Sequence, residues 1–288
     1  MWLALAGIVS AQELRVDHVT VAGRDLRAMQ KALESAAFLT PQYGGPHSNH
    51  ATEMSLVSFP DGSYLELIAI QPNADPKAVA AHEWHKFLEG DAGPTSWAVR
   101  PTDFPGEVER LRKTGVAVSE PRPNGRKRPD GVELKWETAQ VGPTNGTFFP
   151  FLIQDFTPRE RRAYPSGKAA NVTYSGIAEV ILAVKDLEAS VAQYQRTYGF
   201  TAPVRFDDPV LGAHLAWFFP GPVVLATPLS PNSWLSERIE RFGESPCAFI
   251  LQYNVNLGTD VLIAPNWGGR GVAWFNSSRL GWHLGWTK

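Results

Sequence analysis

The sequence predicts an α+β protein made of four tandem βαβββ units in two halves, the fourth unit degraded. Three observations predict it. Val16-Asp17-His18-Val19-Thr20-Val21-Ala22-Gly23-Arg24-Asp25-Leu26 and Ile177-Ala178-Glu179-Val180-Ile181-Leu182-Ala183-Val184-Lys185-Asp186-Leu187 are two copies of a strand followed by a helix start. The register is long-lived: Asp25 and Asp186 differ by 161 positions, and Phe59-Pro60 and Phe219-Pro220 by 160. Within the first copy a shorter repeat appears, because Asp25 and Asp103, both placed to cap a helix, stand 78 residues apart.

Each element follows from local pattern. Leu14 to Ala22 alternates with β-branched residues and reads as a strand, after which Asp25 caps a helix over Leu26 to Ala37, where apolar residues fall at helical spacing. Gly44-Gly45-Pro46 breaks the chain, and Met54 to Phe59 and Tyr64 to Ile70 form a hairpin around Pro60-Asp61-Gly62-Ser63. The second unit runs from the strand Ser96 to Arg100 through a helix capped by Asp103 and ending near Lys113. Val116 to Val118 starts its next strand, a proline-rich basic loop spans Pro121 to Gly131, and Val132 to Val141 and Thr147 to Gln154 complete it.

The third unit repeats this order with the strand Ile177 to Val184, a helix from Asp186 through Gln195, and a hairpin of Leu215 to Phe219 and Val223 to Thr227. In the fourth, Ala248 to Tyr253 is followed by a short Asn/Gly-bearing stretch where a helix belongs, then by Val261 to Ala264, Gly271 to Phe275 and Trp282 to Trp286. The halves are accordingly 13–157 and 175–288, joined by a linker at 158–174 that shares the Arg-, Pro- and Gly-rich character of Phe156 to Ala170.

Composition excludes several classes. At 288 residues, 43% hydrophobic and 19% charged, the chain has ample core, and a net charge of -2 speaks against an electrostatic nucleic-acid binder. Its single cysteine, Cys247, forbids an internal disulfide and a thiolate zinc cluster, so any metal must use nitrogen and oxygen ligands. The apolar run Trp2 to Val9 is too short to span a bilayer and, with Val9-Ser10-Ala11 behind it, makes Met1 to Gln12 a candidate export signal without a basic start. An exported protein is expected if that segment is cleaved and a cytoplasmic one if not, and the oligomeric state is open.

The opening Asp-His-Val-Thr-Val-Ala pattern at Asp17 to Ala22 and the continuation Tyr64-Leu65-Glu66-Leu67-Ile68-Ala69 resemble the vicinal oxygen chelate superfamily. More narrowly, Leu14 to about Thr157 resembles a glyoxalase-like domain, through Trp97-Ala98-Val99-Arg100, Arg128-Pro129-Asp130-Gly131-Val132-Glu133-Leu134 and Pro150-Phe151-Leu152-Ile153. The resemblance implies that paired units curl into half-open barrels around a divalent metal. It also implies that the first and last strands of a unit supply the ligands, which places His18 and Glu66 at those positions.

Strand geometry agrees with that pairing. Side chains two apart share a face, which groups His18 with Val16 and Thr20, and Glu66 with Tyr64 and Ile68, while Asp17, Val19, Leu65 and Leu67 face the other way. Glu66 within an apolar strand needs a cation or a donor. The second unit should complete the ligand set, but Ser96 stands at its first position and Gln154 at its last, so the expected metal site is His18, Glu66 and Gln154 with waters, suited to Mn, Fe, Ni, Zn or Mg. The competing reading of His18 and Glu66 is a buried hydrogen-bonded pair. In the second half Glu179 keeps an ionisable group, its partner position falls near Leu225, and His283 is the one remote candidate.

Substrate-facing candidates are His47 and His50 on the loop before Met54 and the basic run Arg122, Arg126, Lys127 and Arg128, Arg128 foremost, which reads either as a clamp for an anionic substrate or as a solvated face; His82 and His85 are expected to face solvent. The resemblance implies an enzyme in which a divalent metal binds two adjacent oxygens of a small substrate while Glu66 or Glu179 moves a proton, as isomerase, lyase or dioxygenase. The alternative is a metal-free protein that sequesters a small molecule in a tryptophan-lined cleft.

Overall fold

The computed structural model describes residues 14–143, 146–257 and 262–288, so the Met1 to Gln12 segment lies outside it. In chain order the elements are β1 (Val16–Gly23), α1 (Leu26–Ala37), β2 (Gln42–Pro46), β3 (Thr52–Ser58), β4 (Tyr64–Ile70), α2 (Pro76–Ala80), α3 (His85–Glu89), β5 (Gly93–Val99), α4 (Phe104–Lys113), β6 (Arg122–Lys127), β7 (Glu133–Ala139) and β8 (Phe151–Asp155). The chain continues with α5 (Arg159–Ala163) in the linker and then β9 (Tyr174–Ala183), α6 (Leu187–Tyr198), β10 (Val204–Asp208), β11 (Ala213–Trp217), β12 (Val223–Pro228), α7 (Trp234–Phe242), β13 (Ser245–Tyr253), β14 (Val272–Trp274), α8 (Ser277–Leu280) and β15 (His283–Thr287).

Two curved mixed sheets result. The first has the order β2-β3-β4-β1-β5-β8-β7-β6 and the second β10-β11-β12-β9-β13-β15-β14. Each is two units joined through their first strands, β1 antiparallel to β5 and β9 antiparallel to β13, while first and last strands of a unit pair in parallel. The fourth unit is degraded: among the described residues a 3-10 turn at Val255–Leu257 stands where its helix belongs, and it has one strand fewer.

The repeated aspartates do what their spacing implies. Asp25, Asp103 and Asp186 accept from the backbone N–H of Ala28, Gly106 and Ala189 at 3.0–3.1 Å, each satisfying one otherwise orphaned donor of a first helical turn. The strand faces also separate cleanly. Val19, Val21, Leu65, Leu67 and Trp97 point away from the concave side into one core shared with Leu33 of α1 and with Val180, Leu182 and Phe249 of the second sheet. Burying each such side chain is worth about 1.5–3 kcal/mol, against about 0–1 for a surface ion pair, so this common core, not the charged seams, unites the halves.

Several expectations are corrected. Pro121 to Gly131 is no loop: β6 lies within it, ladder-paired to β7 from Arg122–Thr138 to Lys127–Glu133. Gly44-Gly45-Pro46 belongs to β2, an edge strand. Val116 to Val118 reduces to a single bridge, Val118 with Val141, and residues 262–264 form no strand. The linker stretch contains α5, whose arginines reach back into the first half, as described next.

Candidate functional site

The concave face of the first sheet encloses a cavity of about 310 Å³. Its floor is His18 of β1 with Tyr64 and Glu66 of β4, its far wall is Trp136 of β7 with Phe151 and Ile153 of β8, and His47, His82 and Arg126 close its sides. Strand parity brings His18 and Glu66 to this common face, as their spacing implies.

Asp17 departs from parity. The register between β1 and β5 slips between Val16–Val99 and His18–Ala98, a bulge that inserts one extra residue and turns Asp17 beside its neighbour. Fully buried, its carboxylate accepts from His18 Nδ1 at 2.6 Å and from Arg162 Nη1 and Nη2 at 3.0 Å each, and also meets Arg159. Arg162 in turn donates from Nε and Nη2 to Asp155 at 2.5 and 2.7 Å and from Nη1 to the Tyr64 hydroxyl at 2.5 Å. Burial alone would raise the Asp17 carboxyl, but the Arg162 charge, the His18 hydrogen bond and the Arg159 charge hold it well below the usual range.

His18 is therefore fixed from two directions. Its ring stacks on Tyr64 at 4.8 Å, nearly parallel, and meets the edge of Phe151 at 5.4 Å. With Nδ1–H committed to Asp17, Nε2 is the ring nitrogen left for a molecule in the cleft.

Glu66 is held ionised. Burial acts to raise its carboxyl, yet the His47 imidazole, Nε2 to Oε1 3.6 Å, and the charges of His18, His47 and Arg126 bring it down to about 2. Thr20 Oγ1 donates to its other oxygen at 3.4 Å. His82 lines the same cleft rather than facing solvent; burial and the nearby His47 charge lower it to about 4. Its Nδ1 accepts from the Trp84 N–H at 3.1 Å, which leaves the proton of the neutral ring on Nε2.

Two of the three expected metal ligands meet and the third does not. Gln154 is absent from the cleft lining; it pairs with Glu137 on the face opposite to Ile153. Register identifies the true counterparts: Thr20 pairs with Glu66 in the first unit and Ala98 with Phe151 in the second, so a phenyl ring stands where the second carboxylate would belong. Ser96, at the counterpart of His18, is buried with its hydroxyl unpartnered and outside the cleft. Among the described residues no three His, Cys, Asp or Glu side chains are grouped to hold a metal ion. His18, Glu66, His47 and His82 all line the cleft, but no three of them are grouped on one point, and a phenyl ring and an isolated hydroxyl stand at the ligand positions of the second unit, so the set as placed does not fit a resident divalent ion.

The remaining candidates disperse. His47 lines the cleft, whereas His50, at φ 57°, lies outside it. Arg128 is spent on Asp130 at 2.5 Å, the Arg161 carbonyl at 2.9 Å and the Pro165 carbonyl. His85 pairs with Glu89 at 3.3 Å. Of the basic run it is Arg126 rather than Arg128 that lines the cleft, and beside it stands Arg162, outside the predicted set and without a local signal, since it lies 145 residues from Asp17.

The second half fills the corresponding space with its own side chains. Glu179 occupies the position of His18, but Trp267, fully buried, donates Nε1 to it at 2.9 Å, and Arg270, lying over Trp217 at 4.5 Å, bonds its other oxygen. The register counterpart of Glu66 is Val224, one residue before the expected Leu225. Burial pushes the Glu179 carboxyl up to about 7 against the opposing pull of Arg270 and Trp267. A carboxyl raised from 4.5 to about 7 on folding contributes stability that is full below about pH 4.5 and lost as pH rises to 7. Thermal unfolding of Glu179→Gln is expected to lack that decline between pH 4.5 and 7, and an unchanged pH dependence would contradict it.

A family model described as a glyoxalase-like domain matches residues 16–198. No curated protein sequence is matched at a significant level. Among solved structures, a hypothetical protein from Staphylococcus aureus superposes with a TM-score of 0.61 at 14% identity, covering 95% of this chain and 98% of the other. A mutant 4-hydroxymandelate synthase from Streptomyces coelicolor does so with 0.53 at 12% identity, covering 85% and 73%. A xylose isomerase-like TIM barrel/4-hydroxyphenylpyruvate dioxygenase fusion protein gives 0.51 at 13% identity over 96% of this chain and 49% of its own length. These likenesses concern the fold.

Proposed function

The chain belongs to the glyoxalase-like domain family, and from that premise we propose that its N-terminal half-barrel is an acid–base enzyme site for a small oxygen-bearing substrate, with His18 carrying the proton. The observation that supports this reading is the Asp17–His18 pair at the floor of the cleft. Asp17, ionised and fixed by two arginines, accepts the Nδ1 proton of His18, and so leaves a lone pair on Nε2 toward the cavity.

The step is a proton abstraction from a carbon next to a carbonyl. His18 Nε2 takes the proton, the electron pair of the C–H bond passes into the carbonyl oxygen as an enolate, and return of the proton to the same or the adjacent carbon gives exchange, epimerisation or isomerisation. Asp17 and the Glu66 carboxylate stabilise the imidazolium that forms between the two transfers. Glu66, whose carboxylate faces His47 and accepts from Thr20, is assigned the part of balancing the charge of His18 and His47. Glu179 is enclosed in the other half and takes no part. Because the donors at the cleft do not fit a resident divalent ion, no step passes through one.

The test is solvent deuterium exchange. Small 2-oxo acids, hydroxy ketones and aldehydes are incubated with the protein in D2O and followed by NMR at the carbon next to the carbonyl, before and after chelation and with Mn, Fe, Ni, Zn or Mg restored. Exchange that survives chelation is expected. Exchange confined to one metal-loaded form would establish the metal-dependent alternative, and saturable binding without exchange would establish the sequestering protein.

A further inference from the structure

Arg162 and Arg126 are the guanidiniums that line the cleft among the described residues, and they are in opposite states. Every nitrogen of Arg162 is engaged by Asp17, Asp155 or Tyr64. Among the described residues Arg126 has no carboxylate within ion-pair distance, and the one hydrogen bond of its side chain runs from Nη1 to the Gly44 carbonyl at 2.6 Å. That bond crosses from β6 to β2, the two edge strands of the first sheet, and so fixes the guanidinium at the cleft mouth. Its Nε–H and Nη2–H remain, two parallel donors in the planar fork that matches a carboxylate.

A half-buried cation is costly to leave without a partner, and burial already lowers the Arg126 guanidinium. Glu66 does not relieve it at contact distance, since its oxygens face His47 and Thr20. The indole of Trp136, with Phe151 beside it, offers a flat apolar wall in the same cavity. We propose that the site selects small carboxylates, the acid group held side-on by Arg126 Nε and Nη2 and the apolar remainder laid against Trp136 and Phe151. This rests on the proton-transfer reading for what happens to the substrate, but not for its binding. Arg126, not Arg128, is then the specificity-determining residue of the basic strand.

Phenylpyruvate and its methyl ester are titrated against the full chain by isothermal calorimetry, with pyruvate as the ligand lacking the ring. Wild type is expected to bind the acid at least about tenfold more tightly than the ester, a margin within the range of one charge-assisted pair. Arg126→Met removes the preference, Arg126→Lys keeps part of it as a point charge, and Arg128→Met leaves it intact. Because Arg126 also spans two edge strands, the thermal midpoint of each variant is recorded, and Arg126→Lys carries the comparison if Arg126→Met does not fold. Equal affinity for acid and ester in wild type, or a preference that survives Arg126→Met, overturns the proposal. Deuterium exchange without acid preference would sink this inference and leave the proton-transfer reading standing; Arg126-dependent binding without exchange would do the reverse.

Discussion

Asp17→Ala is expected to destabilise the chain by roughly 3–5 kcal/mol, the range found when one member of a buried ion pair is removed. The carboxylate is fully buried and joins β1 to α5 through Arg159 and Arg162, and to the site through His18. Its removal leaves Arg162, only 4% exposed, and Arg159 sharing Asp155 as their one carboxylate, with the Tyr64 hydroxyl as a further acceptor, so most of the loss is the excess buried positive charge rather than the missing bonds. Urea unfolding at pH 7 measures it. The pH dependence supplies a second readout with a defined sign. A carboxyl whose folded value lies well below its unfolded 3.8 contributes stability that is full above the unfolded value and lost as pH falls through the folded one. Wild type should therefore lose stability steeply in acid, and Asp17→Ala should lose less over the same interval, starting from a lower plateau. A loss below about 1 kcal/mol, typical of a surface pair, would contradict the buried-network account.

The same residue marks where sequence reasoning stops. The 161- and 78-residue offsets expose the units because helix caps and strand starts are set by local chemistry that each copy retains, and His18 with Glu66 follows from the two-residue strand period. Parity then assigns Asp17 to the wrong face, because a bulge is a property of the pairing between β1 and β5 and leaves no mark in β1 alone. β6 escaped for a related reason. Arg122 to Lys127 has no apolar alternation, being an exposed edge strand whose order comes from its ladder to β7, yet this strand delivers Arg126 to the cleft. Gln154 was misplaced because the strand Thr147 to Gln154 starts later than its composition implies, at Phe151, and counterparts can be read only from register. Trp267 filling the second cup is a long-range contact that no local pattern announces.

His18→Gln is expected to abolish the proposed deuterium exchange, with a fall of roughly 10²–10⁴-fold in kcat, the span attributable to a positioned acid–base group. Glutamine preserves much of the volume that stacks on Tyr64 and can still donate to Asp17, so fold and ligand affinity should change little while the proton carrier is gone. Asp17→Asn separates carrying from positioning. The amide can still hydrogen-bond Nδ1, but it no longer supplies a negative charge to the imidazolium and can hold the ring in the wrong tautomer, so kcat should fall with KM nearly unchanged. Glu66→Gln gives the complementary comparison. If Glu66 were the base, its amide would be as inactive as His18→Gln; with Glu66 serving only to balance charge, a substantial rate should remain. A rate of His18→Gln well below that of Glu66→Gln, read from single-turnover exchange at pH 7, therefore identifies the imidazole as the group that moves the proton. Equal losses in His18→Gln and Glu66→Gln would return that role to the carboxylate.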